Sequence, residues 1–340
     1  MTTITGVRVP RVGPASRLRR TARIALVLLL MALLLGTLGV TYEVVMASGD
    51  ARRYPPPGRL INVGGHRLHI HCLGAGGPTV VLESGNGGMT LDWESVMAKL
   101  VPTTRVCAYD RAGMGWSDRG PLPRTPERVA DELHALLTRA GEAGPYLLVG
   151  HSLGGHYVDQ FARKYPAQVV GLVLLDARTS FYEQALSETE RRALPSQQAQ
   201  VDTLFLALRR LGVLRLVDRH ILTWLVPGFR HLPPEQRAAR TILQSAASRA
   251  TTSRHELDAL AEGGAALEPP PTSVHPLRVL VSAAAGVDPI FLAAQRQRAQ
   301  HGANSSVHIV DGSGHYLQLD APDVVAGAIQ EVSAVPFESK

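Results

Sequence analysis

The sequence predicts an α/β architecture: a mostly parallel sheet covered by helices on both faces, preceded by an N-terminal transmembrane helix and interrupted by an inserted helical cap. Three observations carry this. Short apolar runs, "PTVVLESG", "TRVCAYD", "YLLVGHS", "VVGLVLLDA", "LRVLVSA" and "SVHIVDG", recur along the chain, each bounded by Gly, Pro, Asp or Ser. Helical patterns lie between them, and strands alternating with helices build parallel sheets. From Asp176 to Leu277 the rhythm stops for about 100 residues of mainly helical pattern, too long for a loop without its own structure.

With 340 residues, 45% of them apolar, the chain can bury a sizeable core. Its formal net charge of +6 sits at one end. Arg8, Arg11, Arg17, Arg19, Arg20 and Arg23 precede any acidic residue, and removing these six from 35 leaves 29 basic against 29 acidic residues. A formally neutral remainder without a basic patch interleaved with aromatics points away from nucleic acid. Directly after the arginines runs "IALVLLLMALLLGTLGVTY", Ile24 to Tyr42, 19 residues without a charge. That is close to the ~20 needed to cross a bilayer as a helix. The positive-inside rule places the arm 1–23 in the cytoplasm, the anchor at 24–42, and everything beyond outside the cytoplasm at the cell membrane. Val45 and Ala47 keep open the alternative of a cleaved signal peptide and a secreted domain.

The linker, 43–59, contains "SGDARRYPPPGR", whose three prolines favour an extended spacer holding the domain off the membrane. Folded structure should begin near Leu60, where "RLINVGGHRLHIHCLG" reads as a hairpin around Gly64-Gly65. "TPERVADELHALLTRAG" carries a Thr125 cap and Pro126 at the first helical position, and "APDVVAGAIQEV" closes the chain as a helix. The core is thus expected over 60–177 and 277–335, and the cap over 178–276. The cap includes "VDTLFLALRRLGVLRLVDRHILTWLV" and "EQRAARTILQSAASRATTSRHELDALA".

"YLLVGHSLGGHYVDQF" holds the densest chemistry. A serine hydroxyl is a poor nucleophile until a base takes its proton and preorganised donors meet the developing oxyanion. Gly150 and Gly154, two before and two after Ser152, permit the sharp strand-to-helix turn that exposes such a hydroxyl. A plain structural turn is the bland alternative. No metal-ligating cluster and no dinucleotide fingerprint appears, since "GAGG" at 74–77 leads into a strand rather than a helix. No cofactor and no required protein partner is expected.

Over roughly residues 60 to 335 the sequence resembles the α/β-hydrolase family, closest to its lipase and esterase-like members with a helical cap. "GHSLGG" is similar to the family's nucleophile elbow. "YDRAGMGWSD", Tyr109 to Asp118, is similar to the loop after its fourth strand, and "GSGHYLQLDAPDVV" to the loop bearing its catalytic histidine. The resemblance implies ester or related acyl hydrolysis by Ser152, with adjacent second and fourth strands. It implies His315 as base, because the histidine comes last in the order serine, acid, histidine. The acid is expected at Asp288, after the seventh strand. The segment before Asp288 is longer than usual, which keeps Asp176, ending "VVGLVLLDA", as the alternative. The backbone amides of Leu153 and Asn86 are expected to form the oxyanion hole, with Gly87 next in line. His151, beside the serine, is expected to be structural.

A serine elbow argues against epoxide hydrolase and dehalogenase chemistry, which on this fold uses aspartate. An apolar, lipid-like ester is the expected substrate. C–C bond hydrolysis, amide hydrolysis, perhydrolysis and a non-catalytic ligand-binding role are the alternatives. Cys72 falls in the second strand and Cys107 in the fourth, so a bridge between them and two buried thiols both stand open.

Overall fold

The computed structural model describes residues 14–216, 227–244, 247–263 and 273–335. Arg8 and Arg11 of the basic arm and the cap stretches 217–226 and 264–272 lie outside the described residues.

Eight strands form one sheet: β1 (Arg59–Asn62), β2 (Arg67–Leu73), β3 (Thr79–Glu83), β4 (Val106–Asp110), β5 (Tyr146–His151), β6 (Val169–Leu175), β7 (Ser273–Ser282) and β8 (Gly302–Val310). Their order is β1-β2-β4-β3-β5-β6-β7-β8. β1 pairs with β2, and β2 with β4, antiparallel; the remaining pairs are parallel. The adjacency of the second and fourth strands follows the expectation, but the antiparallel part extends one pairing beyond the opening hairpin. β3, β4, β5 and β6 are buried along their whole length, which is why their sequences are nearly continuous apolar runs rather than alternating ones.

Helices cover both faces. The helices α3 (Pro126–Ala140) and α4 (Gly154–Lys164) place Leu133, Leu136 and Phe161 against Leu148, Tyr109 and Val81. On the other face, α2 (Glu94–Leu100) and the last helix, Pro322–Ser333, place Met97, Leu100, Val325 and Ile329 against Val80, Leu147 and Val173. Thr125 accepts from Arg128 N with Pro126 at the first turn, and left-handed Gly141 ends α3, as the sequence signals required.

Between β6 and β7 the described residues form helices: α5 (Ser180–Ala185), α6 (Glu188–Arg210), α7 (Val213–Leu216), α8 (Pro234–Gln244) and α9 (Ala247–Gly263). After β7 come α10 (Pro289–Ala299), α11 (Leu317–Asp320) and α12 (Pro322–Ser333). The insertion leaves the sheet after β6, so its helices lie beyond the carboxyl ends of the parallel strands.

At the N-terminus, α1 (Pro14–Arg53) is long and apolar enough to cross a membrane, and its large apolar side chains from Ile24 to Val45 are exposed. The spacer expected at 43–59 is not extended over its first part. The helix continues to Arg53 because Glu43 and Asp50 are held by Arg209 and Arg215 of the cap. Arg52 and Arg53 also suit its C-terminal turn, and the three prolines begin only at Pro55. Cys72 and Cys107 are direct cross-strand partners with Cα atoms 4.1 Å apart and form a disulfide.

Candidate active site

The turn from β5 into α4 carries Ser152 at φ 51°, a left-handed conformation that costs a non-glycine residue free energy and persists only where surroundings enforce it. Here they do. Ser152 N donates to Leu175 O at 3.0 Å, while Ser152 O accepts from Gly155 N at 3.0 Å and Arg178 N at 2.9 Å. A Cβ on Gly150 would stand 2.7 Å from Val158 Cγ2, and one on Gly154 only 2.6 Å from Glu83 O. Both elbow glycines are therefore required by close packing of the turn.

His315 lies in the loop between β8 and α11, as its motif requires. Its Nδ1 donates to Asp176 Oδ2 at 3.1 Å. Asp176, also left-handed at φ 42° and 1% exposed, ends β6. Its carboxylate accepts two more bonds, from Ser282 N to Oδ1 and from Ser282 Oγ to Oδ2, each 2.6 Å. Three donors satisfy a buried carboxylate that would otherwise be costly. Asp288, the residue expected as the acid, is not the carboxylate that His315 meets. Asp288 Oδ1 accepts from Ile290 N at 2.9 Å and Phe291 N at 3.1 Å, which makes it the N-cap of α10. The Asp-Pro pair was the local signal for that role, because Pro289 takes the first helical position.

Ser152, Leu153, Asn86, Gly85, Asp176 and His315 line one cavity of about 360 Å³. Among the described residues, neither the Asn86 nor the Leu153 N–H is given to another main-chain carbonyl. A second cavity of about 250 Å³, between α6 and α9, shares no residue with it.

His151 is buried, and its Nε2 donates to His315 O at 2.8 Å while Nδ1 accepts from Gln318 Nε2 at 3.4 Å. Burial first, and the neighbouring His315 second, hold this imidazole well below its ordinary pKa. It therefore serves as a neutral pin between the elbow and the loop of His315.

Sequence reasoning missed what holds the loop of Gly85 and Asn86. Arg111, 2% exposed, donates from Nη1 to Ser84 O at 2.5 Å and from Nη2 to Gly85 O at 2.7 Å. The same guanidinium is paired with Glu83 at 2.5 Å and with Glu256 of α9 at 2.8 Å. Burial pushes the Glu83 carboxyl up to about 7 against the pull of Arg111 and the Tyr109 hydroxyl. From the cap, Ser253 Oγ donates to Asn86 Oδ1 at 2.5 Å, and Arg240 Nη2 reaches Gly87 O at 3.2 Å while its Nε pairs with Asp92 at 2.7 Å. None of these contacts is readable from local pattern, since Glu256 and Arg111 are 145 positions apart.

A second histidine–aspartate pair, His69 with Asp110 at 2.9 Å, is fully buried. His69 Nε2 accepts from Gly58 N at 3.2 Å, and Asp110 Oδ1 accepts from Thr90 N at 2.7 Å, so both groups are spent on joining β2, β4 and the loop after β3. Cys72, Cys107 and Glu142 come close enough to hold a metal ion, but the sulfurs are bonded to each other and Glu142 accepts from Arg105 at 2.8 and 2.9 Å.

Comparison with known proteins bears on the family and the fold. A model of the alpha/beta hydrolase family matches residues 70–328, and the chain belongs to that family. Among curated relatives, uncharacterized protein YqjL of Bacillus subtilis is 37% identical over 106 residues, covering 31% of this chain and 42% of that protein. The matches to the first curated relatives span only 19%, 28% and 42% of their length. A thermophilic esterase from Thermogutta terrifontis superposes with a TM-score of 0.58 at 24% identity, covering 80% of this chain and 96% of that one. A serine hydrolase involved in carbazole degradation superposes with a TM-score of 0.61 at 18% identity, covering 82% and 98%. At these identities the superpositions show a shared fold.

Proposed function

We propose that this chain is a membrane-anchored serine hydrolase that cleaves carboxylic esters with apolar acyl groups through an acyl-enzyme intermediate. One observation carries the reading: left-handed Ser152 and the His315–Asp176 pair line the same cavity. His315 donates from Nδ1 to the carboxylate, which leaves Nε2 unprotonated as the base. Ser152 Oγ attacks the ester carbonyl carbon and its proton passes to His315 Nε2. The Asn86 and Leu153 amides receive the oxyanion. Collapse breaks the bond to the alcohol, which leaves with the proton from His315, and water repeats the sequence to release the acid. Leu257, Phe291 and Tyr182 in the cavity wall suit an apolar acyl chain.

Anchoring is the second part of the reading. It is supported by the uncharged run in α1, the preceding arginines, and a disulfide suited to an oxidising compartment outside the cytoplasm. The test is labelling by a fluorophosphonate probe alongside a panel of p-nitrophenyl esters. Wild type is expected to take the probe and turn over esters, Ser152→Ala to take none, and His315→Ala to lose about 10³-fold in kcat or more. A folded wild-type chain that takes no probe and hydrolyses no ester overturns the proposal.

A further inference from the structure

The turn joining α6 to α7 is seated on α1. A Cβ on Gly39 would stand 2.2 Å from Leu211 O, and one on Gly212, at φ +68°, would stand 2.8 Å from Gly39 O and 3.2 Å from the Tyr42 ring. Two glycines thus allow backbone to meet backbone. Leu211 Cδ2 also lies 4.0 Å from the Cβ position of Gly36. Just beyond, ion pairs lock the contact: Arg209 and Arg215 reach Glu43 at 3.0 and 2.5 Å, and Arg215 reaches Asp50 at 2.5 Å.

The height of this contact along α1 is informative. Gly39 and Gly36 lie inside the uncharged run, three and six residues before its end at Tyr42. At the rise of an α-helix these are depths of about 4.5 and 9 Å. Helices lying in a bilayer interface bury their apolar faces by about 5–10 Å, the same range. From Leu211 an apolar stripe continues back along α6. Leu204 is 57% exposed, Val201 48% and Leu211 45%, whereas Gln198, Asp202, Phe205 and Arg209 occupy the other side. Through Leu211 this exposed apolar side of α6 is continuous with the contact on α1.

We propose that this face of α6, with Val201, Leu204 and Leu211, docks into the outer leaflet of the bilayer that α1 crosses, so that the active-site cavity takes its substrate from lipid. The inference rests on the anchoring reading given above. Gln198, in the cavity wall, lies on the other side of α6 from this stripe, so a docked α6 sets the cavity about one helix width from the leaflet. The α1–cap contact holds the cap at that height.

The test uses the full chain in phosphatidylcholine vesicles. Leu34→Cys, Leu204→Cys and Ala167→Cys each carry an environment-sensitive fluorophore, attached without reductant so that the native disulfide stays closed. Leu34 reports on α1, and Ala167 lies at the amino end of β6, away from the cap. Quenching by lipids bearing nitroxide on the acyl chain is expected for Leu34 and Leu204 and absent for Ala167. Quenching at Leu34 with none at Leu204 overturns the docking and leaves the anchor; quenching at neither overturns both. As a second measurement, Leu204→Glu is expected to raise KM about tenfold for a long-chain ester presented in vesicles, the equivalent of one lost apolar side-chain contact. Its KM for a water-soluble short-chain ester is expected to stay unchanged. Equal effects on the two substrates overturn lipid-side entry.

Discussion

Asp176 Oδ2 accepts from His315 Nδ1 at 3.1 Å across 139 positions of chain, from the end of β6 to the loop after β8. Asp288, one strand further along, instead accepts from the first amides of α10. The two carboxylates therefore answer to different measurements. Asp176→Asn is expected to lower kcat by about 10⁴-fold with the fold retained, because the wrong tautomer disables the base. Asp288→Asn keeps a good cap and is expected to leave kcat unchanged, and Asp288→Ala to cost about 1 kcal/mol of stability. Steady-state kinetics and thermal denaturation on the three variants check this; the reverse ranking in kcat would return the role to Asp288.

Ser282 is the residue that orients Asp176 from β7, donating from both N and Oγ. Ser282→Ala removes one of three donors to a buried carboxylate, leaving part of it unsatisfied. The expected outcome is a loss of about 1–3 kcal/mol of stability together with a drop in kcat. KM should move little, because Ser282 does not line the cavity. Unchanged kcat in this variant would remove Ser282 from the machinery.

The difference between what was legible in the sequence and what was not follows from distance along the chain. Ser152 and His315 are legible because the elbow and the last loop are local: their glycines and flanking strand and helix patterns lie within about a dozen residues. The acid is not, because two aspartates follow neighbouring strands, and the choice depends on which loop folds over His315. The Asp-Pro signature at Asp288 was present but local cap chemistry is easily read as a site. Arg111, Glu256, Ser253 and Arg240 were invisible as a group because the cap returns to the loop of Asn86 through tertiary packing alone. The disulfide needed the register of β2 on β4, where a slip of one residue would turn one sulfur to the other face. The same limit explains the linker: three prolines announce an extended segment, but the ion pairs that keep Glu43 and Asp50 helical come from residues some 165 positions away.

Glu83 sets a pH dependence. Its folded-state pKa, raised to about 7 by burial, lies above the ordinary 4.5. The folded chain therefore binds this proton more tightly than the unfolded one. The stability it contributes is full below about pH 4.5 and is lost as pH rises through 7, an effect on the order of 3 kcal/mol. Glu83→Gln mimics the protonated form and can still accept from Arg111. It is expected to lose this slope and to gain on wild type at pH 8 relative to pH 5. Denaturant midpoints of both proteins from pH 5 to 8 check this, and parallel curves would show that Glu83 titrates normally.

The disulfide gives a binary outcome. Unfolded without reductant, the chain is expected to show no free thiol, since both its cysteines are joined. Reduction opens a loop of 35 residues and is expected to cost about 2–4 kcal/mol. Two free thiols in protein taken from its native compartment would rule out both the bridge and its use as a sign of an oxidising location.

Gly85 faces Ser152, the proposed nucleophile. A Cβ on Gly85 would lie 2.9 Å from both Ser152 Cβ and His151 Nδ1, with His151 Cε1 at 3.3 Å. Neither neighbour can retreat cheaply. Ser152 sits in a left-handed turn fixed by three main-chain bonds, and the His151 ring is held at both nitrogens. The loop of Gly85 must move instead, and it carries Asn86, whose amide is proposed to receive the oxyanion. Because a donor displaced by a fraction of an ångström loses much of its effect, Gly85→Ala is expected to lower kcat by about 10²-fold. Substrate contacts elsewhere in the cavity are untouched, so KM should change far less. Gly327→Ala is the matched control: it lies within α12 with nothing within 4 Å of its Cβ position, and should stabilise the helix by up to about 1 kcal/mol without affecting kcat. If Gly85→Ala turned over esters as fast as Gly327→Ala, the loop after β3 would have no part in oxyanion stabilisation.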